Sequence, residues 1–530
     1  MSGLTGSPDA SHYYENIMHN FRLTALAGVI NLLLIAGPSA QAAPAPDIEA
    51  MERRIRELES RLEKLEPATK AQAVIAPAPA PMVIAPSPEV EKLTRKVNTL
   101  ERKLEVQDEV TTGAFKKLPK FDAGDSGFKI TSSDGKHQLR IRGAVQADGR
   151  FFWEDTANKG IDSMDLKQAR LWIEGFLYKD IYYKLMPDFA AGSKVNADQT
   201  VGGDILPDAY IDYAYHSAAS LLVGKFKPAL SLERLQGDSD TVFLERAFPT
   251  YLASNRDVGI QVHGGFGVRG YGAEKTPGPI DAKNAITYQL GLFNGCGDDC
   301  NPNFNAGDTN DNKELVGRLF AHPFQHASVS WLDGFGFGIA GSASKPSKLG
   351  MKNLQTPIGR NTYLDYTGVT SEGNSYRLYP QAYWYAGPFG AMAEYAMSSQ
   401  TVKGAGKVVR QDNTASEVTV SYVVTGEDNS FGAIKPIQAF SPLEGRWGAL
   451  QFAARWTQLT VDNGTHSVIA DPTKSARQAT AWTLGANWYL NNYALVRTDY
   501  EEVAFAGFNG VHGGNRPTER VFATRFQISF

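Results

Sequence analysis

Val521-Phe522-Ala523-Thr524-Arg525-Phe526-Gln527-Ile528-Ser529-Phe530 closes the sequence and alternates from residue to residue. In an extended strand, side chains point to opposite faces in turn. Phe522, Phe526, Ile528 and Phe530 therefore share one face with Thr524, while Ala523, Arg525, Gln527 and Ser529 share the other. In a soluble sheet the apolar face would cover a core. In a barrel crossing a bilayer it meets lipid, and the polar face borders a water-filled lumen. The rest of the sequence separates these two readings.

A strand ending on Phe530 resembles the signal read by outer-membrane assembly machinery. Residues 18–42 read as a secretory signal peptide, with Arg22 as the charged start, an apolar run over 23–36 and the small-x-small site Ala40-Gln41-Ala42. The mature chain is expected to begin at Ala43, with Met18 as the start and residues 1–42 outside the fold. No other apolar run approaches the length of a spanning helix, so membrane residence requires a closed β-barrel. The composition of 51 Gly, 27 Phe and 22 Tyr suits such a barrel. A mean hydropathy of -0.30 does not oppose it, because only every second strand residue meets lipid. The net charge of -4 argues against nucleic acid as a partner.

Residues 43–66 and 89–112 read as coiled-coil segments. Ile48, Met51, Ile55, Leu58, Leu62 and Leu65 form one a/d stripe, and Val90, Leu93, Val97, Leu100 and Leu104 form the other, with charged residues between. The Ala- and Pro-rich stretch 67–88 reads as a semi-rigid extended spacer, and 113–136 as a linker. Each heptad block is marginal as a free helix. An α-helical coiled-coil arm is therefore expected to associate where a trimeric barrel already gathers the chains, on the periplasmic side.

The barrel is expected over 137–530. In its first strand Leu139, Ile141, Val145 and Phe151 face one way, and Arg140, Arg142, Gln146, Asp148 and Arg150 the other. A charge facing lipid near the bilayer midplane costs about 2–4 kcal/mol, so these arginines must face the lumen. The next strand sends Gln168, Arg170 and Glu174 inward. Sixteen such segments can be traced, the last four over 448–462, 478–490, 493–505 and 519–530. The expectation is an all-β, sixteen-stranded antiparallel transmembrane barrel behind the helical arm. Short turns are expected to alternate with long Gly-, Asn- and Asp-rich loops.

One long connection is too apolar to lie in water. It holds Lys225-Phe226-Lys227-Pro228-Ala229-Leu230-Ser231-Leu232-Glu233-Arg234-Leu235 and then Phe243-Leu244-Glu245-Arg246-Ala247-Phe248-Pro249. Such a segment is expected to fold inward and narrow the lumen, where low-dielectric walls focus the field of its charges.

At these residues the chain resembles the phosphate-selective porin family, the porin O and porin P group. The matching stretches include Gln146-Ala147-Asp148, Asp208-Ala209-Tyr210, Gly224-Lys225-Phe226-Lys227-Pro228, Leu232-Glu233-Arg234, Leu244-Glu245-Arg246 and Gly485-Ala486-Asn487-Trp488-Tyr489. The resemblance implies a homotrimer in outer-membrane lipid and a passive channel for phosphate, polyphosphate or similar inorganic anions. It places Arg234 and Arg246 at a central anion site with Asp208 as an acidic partner, and Lys225 and Lys227 at the loop entrance. Lys167 falls where an arginine is often found, whereas Gln168 and Ala144 replace basic residues. Arg140, Arg142 and Arg170 complete the anticipated anion pathway. The alternative is a general small-solute pore, or a structural barrel whose arm grips peptidoglycan. The loop arginines could equally hold the loop through Glu233, Glu245 or Asp208.

Other motifs carry less. Cys296 and Cys300 bracket Gly-Asp-Asp in a loop, a spacing that suits a small disulfide. Gly265, Gly267 and Gly270 form a G-x-G-x-x-G pattern without the helix it requires, and Pro323 separates His322 from His326. No enzyme, cofactor or metal site is expected.

Overall fold

The computed structural model describes residues 88–530 apart from 125–126, 154–159, 191–204, 217, 267–284, 296–310, 325–329, 367 and 508–515. The signal segment, the first coiled-coil segment, most of the spacer and the pair Cys296 and Cys300 lie outside the described residues. Helix α1, Pro88–Phe115, occupies the segment expected as the second heptad block. Pro88 fits a first helical turn, and Glu89 and Glu91 complement the helix dipole there. Val90, Leu93, Val97, Leu100 and Leu104 form its half-exposed stripe.

The remaining chain is a closed antiparallel barrel. Strands β1 (Lys120–Gly124) and β2 (Gly127–Thr131) form a hairpin, and β3 (Gln138–Trp153) begins the wall. It continues through β4 (Ser163–Leu177), β5 (Ile181–Met186), β6 (Asp208–His216), β7 (Ala219–Phe226), β8 (Asp257–Phe266), β9 (Ile286–Phe293), β10 (Glu314–Ala321) and β11 (Phe335–Ser344). Three short strands, β12 (Leu349–Gly350), β13 (Leu354–Gln355) and β14 (Thr362–Leu364), belong to one connection. The wall then resumes with β15 (Thr370–Ala386), β16 (Phe389–Gly404), β17 (Lys407–Val423), β18 (Ala449–Thr460), β19 (Gln478–Tyr489), β20 (Ala494–Ala506) and β21 (Glu519–Ser529). β21 pairs with β3 from Ser529 opposite Ala144 to Arg520 opposite Trp153, which closes sixteen strands into a ring.

The closing strand has the faces its alternation predicts. Phe526 and Ile528 are exposed on the outer surface, while Arg525 and Gln527 are buried on the inner one. Ile211, Leu290, Leu319, Val418 and Leu484 continue the apolar exterior around the ring. The lumen side carries the buried Arg455, Arg497, Asp499 and Glu501.

Three details depart from the sequence reading. The stretch read as a linker before the barrel holds β1 and β2, and β2 pairs with β3 from Phe128 opposite Ile141 to Thr131 opposite Gln138. This hairpin occupies the part of the β3 edge that β21 leaves open. Loop lengths also alternate less regularly than expected. Short turns 178–180, 387–388 and 490–493 mark one end of the barrel, but the connection 424–448 at that end is long. At the opposite end, β16 and β17 run on past the wall and meet in a two-residue turn. Ala405 and Gly406 have φ of 48° and 78° there, which matches the twist of a tight hairpin. Finally, a β-bulge lies in β4, where Gln146 opposes Gln168 but Ala147 opposes Leu166. Strict alternation would turn Lys167 toward lipid. The extra residue resets the phase, so Met164 and Leu166 face out while Lys167 reaches inward.

The β3–β4 pairing leaves no room for a side chain at Gly175, where a Cβ would lie 1.8 Å from the backbone oxygen of Gln138. Gly175→Ala should cost about 1–3 kcal/mol or more, as overpacking does, and lower the thermal midpoint of the folded barrel in detergent. At Gly317 the nearest atom to an added Cβ is Leu290 Cδ1 at 3.8 Å, so Gly317→Ala should leave the midpoint unchanged. Equal midpoints for the two variants would contradict the pairing.

Candidate functional site

The connection between β7 and β8, residues 227–256, folds into the lumen. Leu230, Leu232, Ala247 and Phe248 are fully buried within it. On one side it packs against the wall from β15 to β20. Gln381 donates to the Leu230 carbonyl at 2.8 Å, Asn487 to the Val242 carbonyl at 2.9 Å, and the Leu244 amide to Asp499 at 2.7 Å. A four-residue helix, α2 (Leu232–Leu235), forms at its first bend, with the Ser231 hydroxyl accepting from the Arg234 amide at 3.3 Å. Glu394 on β16 accepts from the amides of Leu232 and Glu233, satisfying donors that a helix start leaves open.

Two carboxylates carry the loop to the opposite wall. Asp238 is ion-paired with Arg170 of β4, with Lys227 at 3.3 Å, Arg246 at 2.6 Å and Arg256 at 3.4 Å. Arg256 also holds Asp208 at 2.7 Å, and Lys184 holds the same carboxylate at 2.9 Å. Glu245 is ion-paired with Arg360, with Lys167 at 2.6 Å, Arg150 at 3.0 Å and Arg525 at 3.8 Å. Asp148 completes this second cluster, 2.6 Å from Arg525 and 2.9 Å from Arg150. One carboxylate shared among four cations stays ionised. Burial alone would raise Asp238, but Lys227, Arg246, Arg170 and Arg256 hold it well below the usual carboxylate range. Burial would likewise raise Glu245, which Arg360, Lys167, Arg150 and Arg525 hold well below that range. Burial pulls Lys227 well below the ordinary lysine value, against the attraction of Asp238.

The site residues anticipated from sequence divide into groups. Asp208, Arg170, Lys227 and Arg246 meet around Asp238 and its neighbours. Lys167 belongs to the Glu245 cluster instead. Arg140 and Arg142 share Glu174 at 3.1 and 3.0 Å, and Tyr182 donates to the same carboxylate at 2.8 Å. Arg234 donates to Asn255 Oδ1 at 3.0 Å and to the Thr250 carbonyl, tying two arms of the loop together. Lys225 is buried at the end of β7. Gln168 and Ala144 are buried wall residues. Arg256, Lys184 and Asp238 were absent from the anticipated set. Asp238 sits in a polar turn that reads as ordinary loop, and nothing local announces the four cations that converge on it.

A cavity of about 290 Å³ lies among the loop, the β3–β7 wall, the ends of β19–β21 and the connection 424–448. Arg142, Arg170, Lys184, Lys227 and Arg256 line it together with Asp208, Asp238 and Asp240, five cations against three carboxylates. Burial raises Asp240, with Arg142 and Arg497 opposing. The cavity can thus concentrate small anions in a low-dielectric setting.

A family model described as phosphate-selective porin O and P matches residues 139–527. No curated protein matches the chain. Among solved structures it is similar to the outer membrane channel DcaP of Acinetobacter baumannii, at 10 % identity over 76 % of this chain and 99 % of that one, with a TM-score of 0.47. It is similar to OmpT, an outer membrane protein of Vibrio cholerae, at 10 % identity over 74 % and 98 %, with a TM-score of 0.43. A third is an anion-selective porin from Comamonas acidovorans, at 10 % identity over 74 % and 100 %, with a TM-score of 0.42.

The two aspartates of this loop should respond differently to neutralisation. Asp238 has a depressed pKa, so its contribution is present above the usual carboxylate value and lost only as pH falls well below it. Asp240 has a raised pKa, so ionising it costs stability as pH rises above the usual value. At pH 7, Asp238→Asn should cost about 3–5 kcal/mol, as breaking a buried pair does. Asp240→Asn, which mimics the protonated acid, should not lower the thermal midpoint. Equal losses in the two variants would contradict this assignment.

Proposed function

The chain belongs to the phosphate-selective porin O and P family, and from that premise we propose that this outer-membrane porin is a passive channel selective for small anions, phosphate among them. The observation that carries the reading is the excess of cations over carboxylates lining the cavity beside the inserted loop. An anion crossing the barrel passes Arg360 and Lys167 near one end and Arg142 and Arg140 near the other. Side chains of Arg142, Arg360, Arg140 and Lys167 keep 39 %, 33 %, 27 % and 21 % of their surface exposed, enough to exchange a carboxylate partner for a passing ion. Arg246, Arg170 and Lys227 supply the field at the narrow part, with Asp208 balancing Arg256 and Lys184.

Selectivity for phosphate over other anions depends on which cations the ion meets. Arginine offers a planar fork for an oxyanion, and lysine a point charge. The connection after β11 carries three exposed lysines, Lys345, Lys348 and Lys352, with Arg360. In this reading the chains assemble as homotrimers and the helical arm lies in the periplasm, where the charged faces of α1 could meet peptidoglycan.

A planar bilayer held in a tenfold potassium chloride gradient tests the proposal. Reversal potentials should shift toward the chloride equilibrium, less so in an Arg142→Ala, Lys184→Ala double variant. The preference should fade near 1 M salt, where the screening length falls from about 10 to about 3 Å. A potassium-directed reversal would overturn the anion assignment, and the absence of channel steps would overturn the channel.

A further inference from the structure

The cavity beside the loop has a wall that chloride or phosphate does not need. Beside its cations stand Met186, Leu222, Phe226 and Leu235, together with Ile434 from the connection 424–448. A hydrated inorganic ion gains nothing from these groups, whereas an apolar surface removed from water contributes about 25 cal/mol per Å². Two of the cations are also already seated on rings. Arg142 lies 5.5 Å from the centre of the Trp172 ring, and Lys184 lies 5.8 Å from that of Tyr210. Tyr210 continues edge-on into Phe226 at 6.0 Å. A carboxylate held by Arg142 or Lys184 would therefore leave the rest of its molecule against an aromatic and aliphatic plate.

We propose that this cavity is a binding station for small aromatic carboxylates, which deepens and rests on the anion-channel reading. The carboxylate meets the Arg142 and Lys184 side, and the ring packs against Tyr210, Phe226 and Leu222. The volume of about 290 Å³ sits at the lower edge of small-molecule sites, which run from about 300 to 1,000 Å³. That size admits one ring with its acid group. The neighbouring Asp208 and Asp238 disfavour a second carboxylate on the same ring. The two attractions act together, so neither acetate nor a neutral aromatic should bind comparably. The bland alternative is that the apolar wall only packs the loop, in which case acetate and benzoate bind alike.

Two measurements on the full-length protein test this. In bilayers, benzoate should reduce chloride current at a concentration at least tenfold below that needed for acetate, with phosphate resembling acetate. Tyr210→Ala should abolish the benzoate preference, and Tyr210→Phe, which keeps the ring, should retain it. Calorimetric titration of benzoate into the protein in detergent should show one site per chain, again lost in Tyr210→Ala and kept in Tyr210→Phe. Benzoate no better than acetate in both measurements would overturn the station, as would a preference that survives Tyr210→Ala. Saturable benzoate binding in a protein that forms no channel steps would instead overturn the channel reading and leave the station standing.

Discussion

A guanidinium facing hydrocarbon near the bilayer midplane costs about 2–4 kcal/mol, so the alternation that sets Phe526 and Ile528 outside sends Arg525 into the lumen, where Asp148 lies 2.6 Å away. Repeated around sixteen strands, that constraint gathers the charge of the barrel inside a narrow space. Arg150, Arg170, Arg455 and Arg497 all sit there, buried and partnered. The bulge at Lys167 obeys the same rule: the strand absorbs an extra residue and turns an ammonium from lipid to lumen. What is forbidden outside becomes the electrostatic interior of a pore.

The inserted loop is shaped by that interior. Its apolar residues satisfy the β15–β20 side, and its two pivotal carboxylates, Asp238 and Glu245, satisfy cations on β3 and β4. Buried ion pairs are weak evidence of net stability, because desolvation offsets much of the attraction. They do fix position, since removing one partner strands several charges. The loop is thus held across the lumen by groups that also define its field.

Much of the wall was legible in the sequence. Strand period and the lipid rule place Arg140, Arg142, Arg170 and Arg525 inside without any knowledge of their partners. The four closing strands lie within a few residues of where the alternation puts them. The loop's inward path was readable from Leu230, Leu232, Phe243 and Phe248, which have no reason to meet water. The convergence on Asp238 was not legible, because Lys227, Arg246 and Arg256 are spread over the connection 227–256 and Arg170 lies on β4, and they meet only once the loop has folded against the wall. Arg234, central by resemblance, is tied to Asn255 and Thr250 within the loop. The β1–β2 hairpin escaped notice because its strands are only five residues each, too short to show a period.

Asp238 and Glu245 anchor the loop across the lumen, and in the proposed reading they thereby set the width and sign of the pore. Single-channel conductance of an Asp238→Asn, Glu245→Gln double variant tests it most directly. Eight contacts between these carboxylates and cations are lost together, so the loop should release. Conductance should rise, with larger current fluctuations and a stronger chloride preference at low salt. Unchanged conductance and selectivity in a folded double variant would contradict the account.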